Sequence, residues 1–120
     1  MRESIGLMHT TDELRRLILE NPDLPLVILA GENACDYDYS TMFCSQVNAY
    51  IGEFLDCEQE INKERAYEDR ESFEDDVRDY YEYFDECQKM PDDEFDKFIE
   101  EKLAEYEPYW KKCIILYVDN

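Results

Sequence analysis

Negative charge in this 120-residue chain is gathered into one stretch, and that limits its folding options more than any other feature. From Glu53 to Glu107 there are 23 acidic and 7 basic residues, a net of −16 within a formal total of −20. Self-repulsion on this scale opposes a compact state. The stretch must either remain an acidic tail or fold with its carboxylates turned outward. Its apolar residues decide for folding. Disordered acidic tracts are poor in aromatic and branched apolar side chains, whereas this one carries Phe54, Phe73, Tyr80, Tyr81, Phe84, Phe95, Phe98, Ile99, Leu103 and Tyr106. At this length one core is expected. Residues 10–120 therefore read as a single acidic domain and residues 1–9 as an N-terminal extension.

The local patterns give an order of elements. Thr10 and Glu13 stand at capping-box spacing and open a first helix, which Asn21-Pro22 closes. Leu26 to Ala30 is a short apolar run stopped by Gly31, the pattern of a buried strand. The polar stretch Glu32 to Ser40 reads as a loop. Met42 to Leu55 reads as a long strand with a bend or bulge at Gly52, and Arg65 to Glu68 as a short third strand pairing back on it. Asp69 caps a second helix in which Phe73, Val77, Tyr80, Tyr81 and Phe84 recur at helical spacing. Pro91 opens a third helix at a favoured first-turn position, with Asp92, Asp93 and Glu94 complementing its dipole. Phe95, Ile99, Leu103 and Tyr106 form its stripe, and Pro108 stops it. Cys113 to Val118 is apolar on both alternating faces, as a central strand would be. The expected fold is α+β: about four strands in a mainly antiparallel sheet with three helices, in the order α-β-β-β-α-α-β.

Several kinds of chemistry find little support. His9 is the sole histidine and lies near the chain start, so a Ser-His or Cys-His nucleophile would have to be built there. The three glycines Gly6, Gly31 and Gly52 are isolated, which leaves no phosphate-cradling loop. Asp36-Tyr37-Asp38-Tyr39-Ser40 starts like a calcium loop, but Thr41 and Val47 stand where that loop needs Gly and Glu. Cys35, Cys44, Cys57, Cys87 and Cys113 are odd in number and lack CxxC spacing, which favours free buried thiols in the cytoplasm over a zinc site. No secretory leader is legible near Met1, and no apolar run approaches the roughly 18 residues of a membrane span. The expectation is a non-enzymatic, cofactor-free cytoplasmic protein that neither enters membranes nor binds nucleic acid directly, since no basic stripe is present to meet phosphates.

A protein that handles nucleic acid is a better partner. From Asp69 to Glu86 the chain places nine acids, Asp69, Glu71, Glu74, Asp75, Asp76, Asp79, Glu82, Asp85 and Glu86. On one continuous helix those residues would span about 27 Å, or one charge per roughly 3 Å. That approaches the roughly 3.4 Å per phosphate along one DNA strand. These nine residues are the candidate partner-binding site, facing a basic nucleic-acid-binding groove. A plainer reading treats them as the solvated face of amphipathic helices.

The tract Tyr67-Glu68-Asp69-Arg70-Glu71-Ser72-Phe73-Glu74-Asp75-Asp76 resembles acidic tracts in the small, phage- or mobile-element-encoded anti-CRISPR proteins that act as DNA mimics on type II CRISPR nucleases. The local similarity covers about ten residues, and no individual functional residue carries across. The resemblance implies inhibition by occupancy, with Asp and Glu standing in for phosphates at the site where a nuclease grips DNA. The alternative is a small adaptor or structural domain whose acids are only solvated and whose contacts run through an aromatic patch. Tyr37, Tyr39, Tyr83 and Tyr109, which fall outside the helical stripes, are its candidates.

Overall fold

The computed structural model describes residues 6–35 and 40–120. Its order is α1 (Asp12–Glu20), β1 (Leu26–Ala30), α2 (Glu32–Cys35), β2 (Gln46–Leu55), α3 (Arg70–Glu82), α4 (Asp85–Gln88), α5 (Asp92–Tyr106), a 3-10 turn (Glu107–Tyr109) and β3 (Trp110–Asp119). The class is α+β. The sheet has three strands in the order β1-β3-β2, so the strand at Trp110–Asp119 is central, as its two-sided apolarity predicts.

Two expectations about the sheet are corrected. It is mixed rather than mainly antiparallel, because β1 runs parallel to β3, with Leu26 opposite Ile114 and Ala30 opposite Val118. Parallel neighbours need a long crossover connection, and the chain between these two strands, which holds α3 and α5, supplies it. The fourth strand is absent among the described residues. Arg65 to Glu68 meets β2 through the Leu55 N–H bond to the Tyr67 carbonyl at 3.0 Å, while the Arg65 and Tyr67 side chains turn to Asp76 on α3. Helices number five among the described residues instead of three, since α2 and α4 are single turns that short polar windows do not announce.

The chain divides into two compact units, Met1–Gly52 with Lys112–Asn120, and Glu53–Lys111. Charge divides at the same boundary. The second unit holds 23 acidic and 8 basic residues, net −15, and the first holds the remaining 9 and 4, net −5.

In the first unit the buried side chains are Leu17, Cys113, Ile114, Ile115 and Asp119. β1 is not the buried strand that its composition suggests. It lies at the sheet edge with Leu26 and Ile28 exposed and Val27 and Leu29 half-buried. Gly52 makes no break, since β2 runs through it. A side chain there would bring a Cβ within 2.8 Å of Ile115 Cδ1, so the glycine serves close packing. The expected capping box is also absent: the cap of α1 is Thr11, whose hydroxyl accepts from the Arg15 guanidinium at 3.1 Å.

In the second unit Leu55, Tyr67, Phe73, Val77, Tyr81, Cys87 and Ile99 form one core. Phe73 is its aromatic centre, edge-on to Tyr67 at 4.9 Å and to Tyr106 at 5.1 Å. The helical stripe of α3 is buried at Phe73, Val77 and Tyr81. Phe84 does not belong to it: α3 ends at Glu82, and Phe84 caps α4 and is exposed. Pro91 is the cap of α5 rather than its first residue, with Asp92, Asp93 and Glu94 in the first turn as expected. On α5 only Ile99 is fully buried, and Phe95, Leu103 and Tyr106 pack half-buried against the core.

Among the described residues, which include all five cysteines, no disulfide forms. Burial pushes the Cys57 and Cys87 thiols above their ordinary range. Cys35 is exposed. A maleimide titration of the native protein is therefore expected to label Cys35 first and Cys87 and Cys113 last, with denaturant equalising the five. Rapid labelling of Cys87 in the native state would contradict the core described here.

Candidate protein-binding acidic face

The nine acids from Asp69 to Glu86 do not form one array, because they do three different jobs. Asp69 caps α3. Its carboxylate accepts from the Ser72 hydroxyl at 2.8 Å and from the Glu71 and Ser72 amides at 3.2 and 3.3 Å. Those bonds, the Ser72 hydroxyl foremost, hold it below the usual carboxylate range. Asp76 accepts from Arg65 at 2.8 Å and from the Tyr67 hydroxyl. Burial, reinforced by that carboxylate, raises the Tyr67 phenol. Glu74 meets Arg78 at 3.4 Å, and Arg78 reaches across to Asp96 on α5 at 2.8 Å. All three have partners inside the unit, although Asp69 is itself exposed.

The remaining six are exposed. Asp85 and Glu86 sit on the separate turn α4, so the continuous helix of 18 residues is corrected to the 13 of α3. Glu71, Asp75, Asp79 and Glu82 lie on α3 itself. At 100° per residue they fall within about 80° of one another, opposite Phe73, Val77 and Tyr81, and they span about 16 Å. Among the described residues none of these four carries an ion pair. The stripe therefore presents one charge per roughly 5 Å, sparser than the tract suggests. The next long helix carries further exposed acids: Asp93, Glu100 and Glu101 on α5, in the same unit. Sequence reasoning confined to Asp69–Glu86 missed them, although their placement off the Phe95, Ile99 and Leu103 stripe was a usable signal.

Four of the unit's eight cations, Arg65, Arg70, Arg78 and Lys102, have partners within it, while Lys63, Lys89, Lys97 and Lys111 are exposed and, among the described residues, form no ion pair. Arg70 bridges Glu53 at 2.8 Å and Glu107 at 2.6 Å, with its guanidinium 4.9 Å from the centre of the Trp110 ring. Its hydrogen bond holds Glu53 below the usual carboxylate range. Lys102 lies over the Tyr81 and Phe98 rings at 5.6 and 5.4 Å. With 23 acids against 8 cations, the unit keeps a net negative field in spite of those free lysines.

An open groove of about 700 Å³ lies beside this face, lined by Glu82, Tyr83, Cys87, Met90, Asp92 and Phe95 among others. Tyr83 is 74% exposed, and Tyr109 is exposed as well. Tyr37 and Tyr39, with most of the Asp36–Ser40 tract, lie outside the described residues. His9 donates to the Cys44 carbonyl at 2.8 Å and stacks on Phe43. Among the described residues no three His, Cys, Asp or Glu side chains converge to hold a metal ion, and no helix is long and apolar enough to cross a membrane.

Stability should respond to pH and salt in a way this division predicts. Asp69 and Glu53 have depressed folded values, so their contribution is present above the unfolded carboxylate range and lost as pH falls through the folded values. Neutralising or screening the exposed acids acts in the opposite sense by relieving repulsion. Thermal melts are expected to rise between about 10 and 200 mM NaCl at neutral pH. They are expected to fall once pH drops below about 4. A melting temperature that declines steadily with added salt would show that the exposed acids do not repel.

Compared with protein-family models, curated proteins and solved structures, the chain has no match. Its function is therefore read from its own residues.

Proposed function

We propose that the protein inhibits a nucleic-acid-handling nuclease by filling its basic DNA groove with the acidic face of the Glu53–Lys111 unit. One observation carries this reading. Glu71, Asp75, Asp79 and Glu82 form an exposed, uncompensated stripe on a helix whose opposite face is locked into a core. Carboxylates held by a folded element lose little conformational freedom on binding, and complementary charge speeds encounter with a basic groove while repelling acidic competitors. Occupancy of this kind needs no cofactor and no turnover. The resemblance of the Tyr67–Asp76 tract to DNA-mimic anti-CRISPR proteins makes a type II CRISPR nuclease the first target to test.

The test is competition. The immobilised nuclease is loaded with labelled duplex DNA and titrated with this protein. Displacement of the duplex is expected, with an affinity that falls steeply as NaCl is raised. Simultaneous binding of duplex and protein would rule mimicry out. A complex that is insensitive to salt and lost on Tyr83→Ala would favour the aromatic-patch adaptor instead, since Tyr83 stands well exposed beside the groove.

A further inference from the structure

We infer that the free edge of β1 pairs antiparallel with β1 of a second copy of this chain, in a register centred on Ile28. The backbone bonds of the sheet identify that edge. Ile114 donates to the Pro25 carbonyl and Gly31 donates to the Val118 carbonyl, both at 2.8 Å. Backbone groups alternate sides along a strand, so Val27 and Leu29 complete the ladder with β3. Leu26, Ile28 and Ala30 turn their N–H and C=O groups outward. Among the described residues no strand lies beyond them, and the Ala30 carbonyl receives only a long contact from the Cys35 thiol at 3.9 Å.

An edge that stays solvated in natural sheets is blunted by charge, especially Lys, by Pro, or by a bulge. Leu26–Ala30 has none of these, and the wider stretch Leu24 to Gly31 is uncharged in a chain with 37% charged residues. Leu26 is 47% exposed and Ile28 63%. Of the ten exposed large apolar side chains among the described residues, seven belong to this less charged unit.

The chemistry of the edge selects its occupant. Alternating unpaired donors and acceptors are met by an extended strand. A basic groove gains nothing from this uncharged strand, so the partner of the acidic face is a poor fit. The strand fits itself. Two-fold antiparallel pairing sets Ile28 against Ile28 of the second copy and Leu26 against Ala30, large beside small, and gives every outward N–H a carbonyl. The pairing buries no charge, while two chains of net −20 repel at long range. Self-association must therefore strengthen with salt, the reverse of the response expected for a complex made by the acidic face.

Sedimentation of the full chain decides the matter, over about 10 µM to 1 mM, where edge contacts of this size associate. A monomer–dimer equilibrium that tightens between about 0.05 and 0.5 M NaCl is expected. Ile28→Lys should weaken it at least about tenfold, placing like charges face to face at the centre of the pairing. Ile28→Pro should do the same by removing an outward N–H that β3 does not use. If either variant loses the monomer's melting transition, the other decides. A wild type that stays monomeric throughout, a dimer indifferent to the substitutions, or one that dissolves as salt is added would overturn the assignment. None of these outcomes bears on competition with DNA.

Discussion

Phe73→Ala is expected to cost about 3–5 kcal/mol, close to the whole stability of a marginal domain. Phe73 is 1% exposed, and Tyr67, Tyr106 and Trp110 pack around its ring, so removing it leaves a cavity that several elements would have to collapse to fill. Edge-to-face contacts add to the loss. Ile99→Ala, at a position with no exposure on α5, should cost about 2–5 kcal/mol, and Val77→Ala less because fewer atoms are removed. Urea denaturation followed by circular dichroism measures all three. Unchanged midpoints would mean that the Phe73, Val77 and Tyr81 side of α3 is not the buried one. The acidic stripe would then lose its outward placement too.

Reversing Glu71, Asp75, Asp79 and Glu82 to Lys is expected to leave the fold intact and reduce affinity for the captured nuclease by about 100-fold or more. The four side chains are exposed, and among the described residues none forms an ion pair that would be lost. Each reversal replaces an attraction to a basic groove with a repulsion. The slope of affinity against salt should flatten at the same time, because fewer ions are exchanged on binding. A control at two acids with partners inside the unit substitutes Asp69 and Asp76 with Ala. It should lower stability through the lost cap and the lost Tyr67 and Arg65 contacts, with little change in affinity per folded molecule. If the control lowers affinity and the four-site variant does not, the outward stripe is not the binding face.

The elements that could be read from residues alone are those whose pattern is local and strong. The Phe73, Val77 and Tyr81 period, the Asp69 cap, the acidic first turn after Pro91 and the central strand around Ile114 each combine a period with a stop or start signal. In each case the side chain, its neighbours along the chain and the buried face agree. The two single-turn helices were not legible, because four residues are too few to show a period.

Pairing partners were decided only in three dimensions. Leu26–Ala30 reads as buried because apolar runs usually are, yet its place at the edge depends on which strand lies beside β3, a choice made far away in sequence. Arg65 to Glu68 reads as a strand by composition, but the Asp76 carboxylate competes for its Arg65 and Tyr67 side chains. The same holds for charge. Residue types told where the acids were dense and which side of α3 they had to leave. Only the tertiary structure showed that Asp76 is taken by Arg65 and Tyr67, while Glu71, Asp75, Asp79 and Glu82 are left facing water. Ser72 for Asp69 and Arg78 for Glu74 follow from spacing along the helix, whereas the Arg65 and Tyr67 that take Asp76 arrive from outside it.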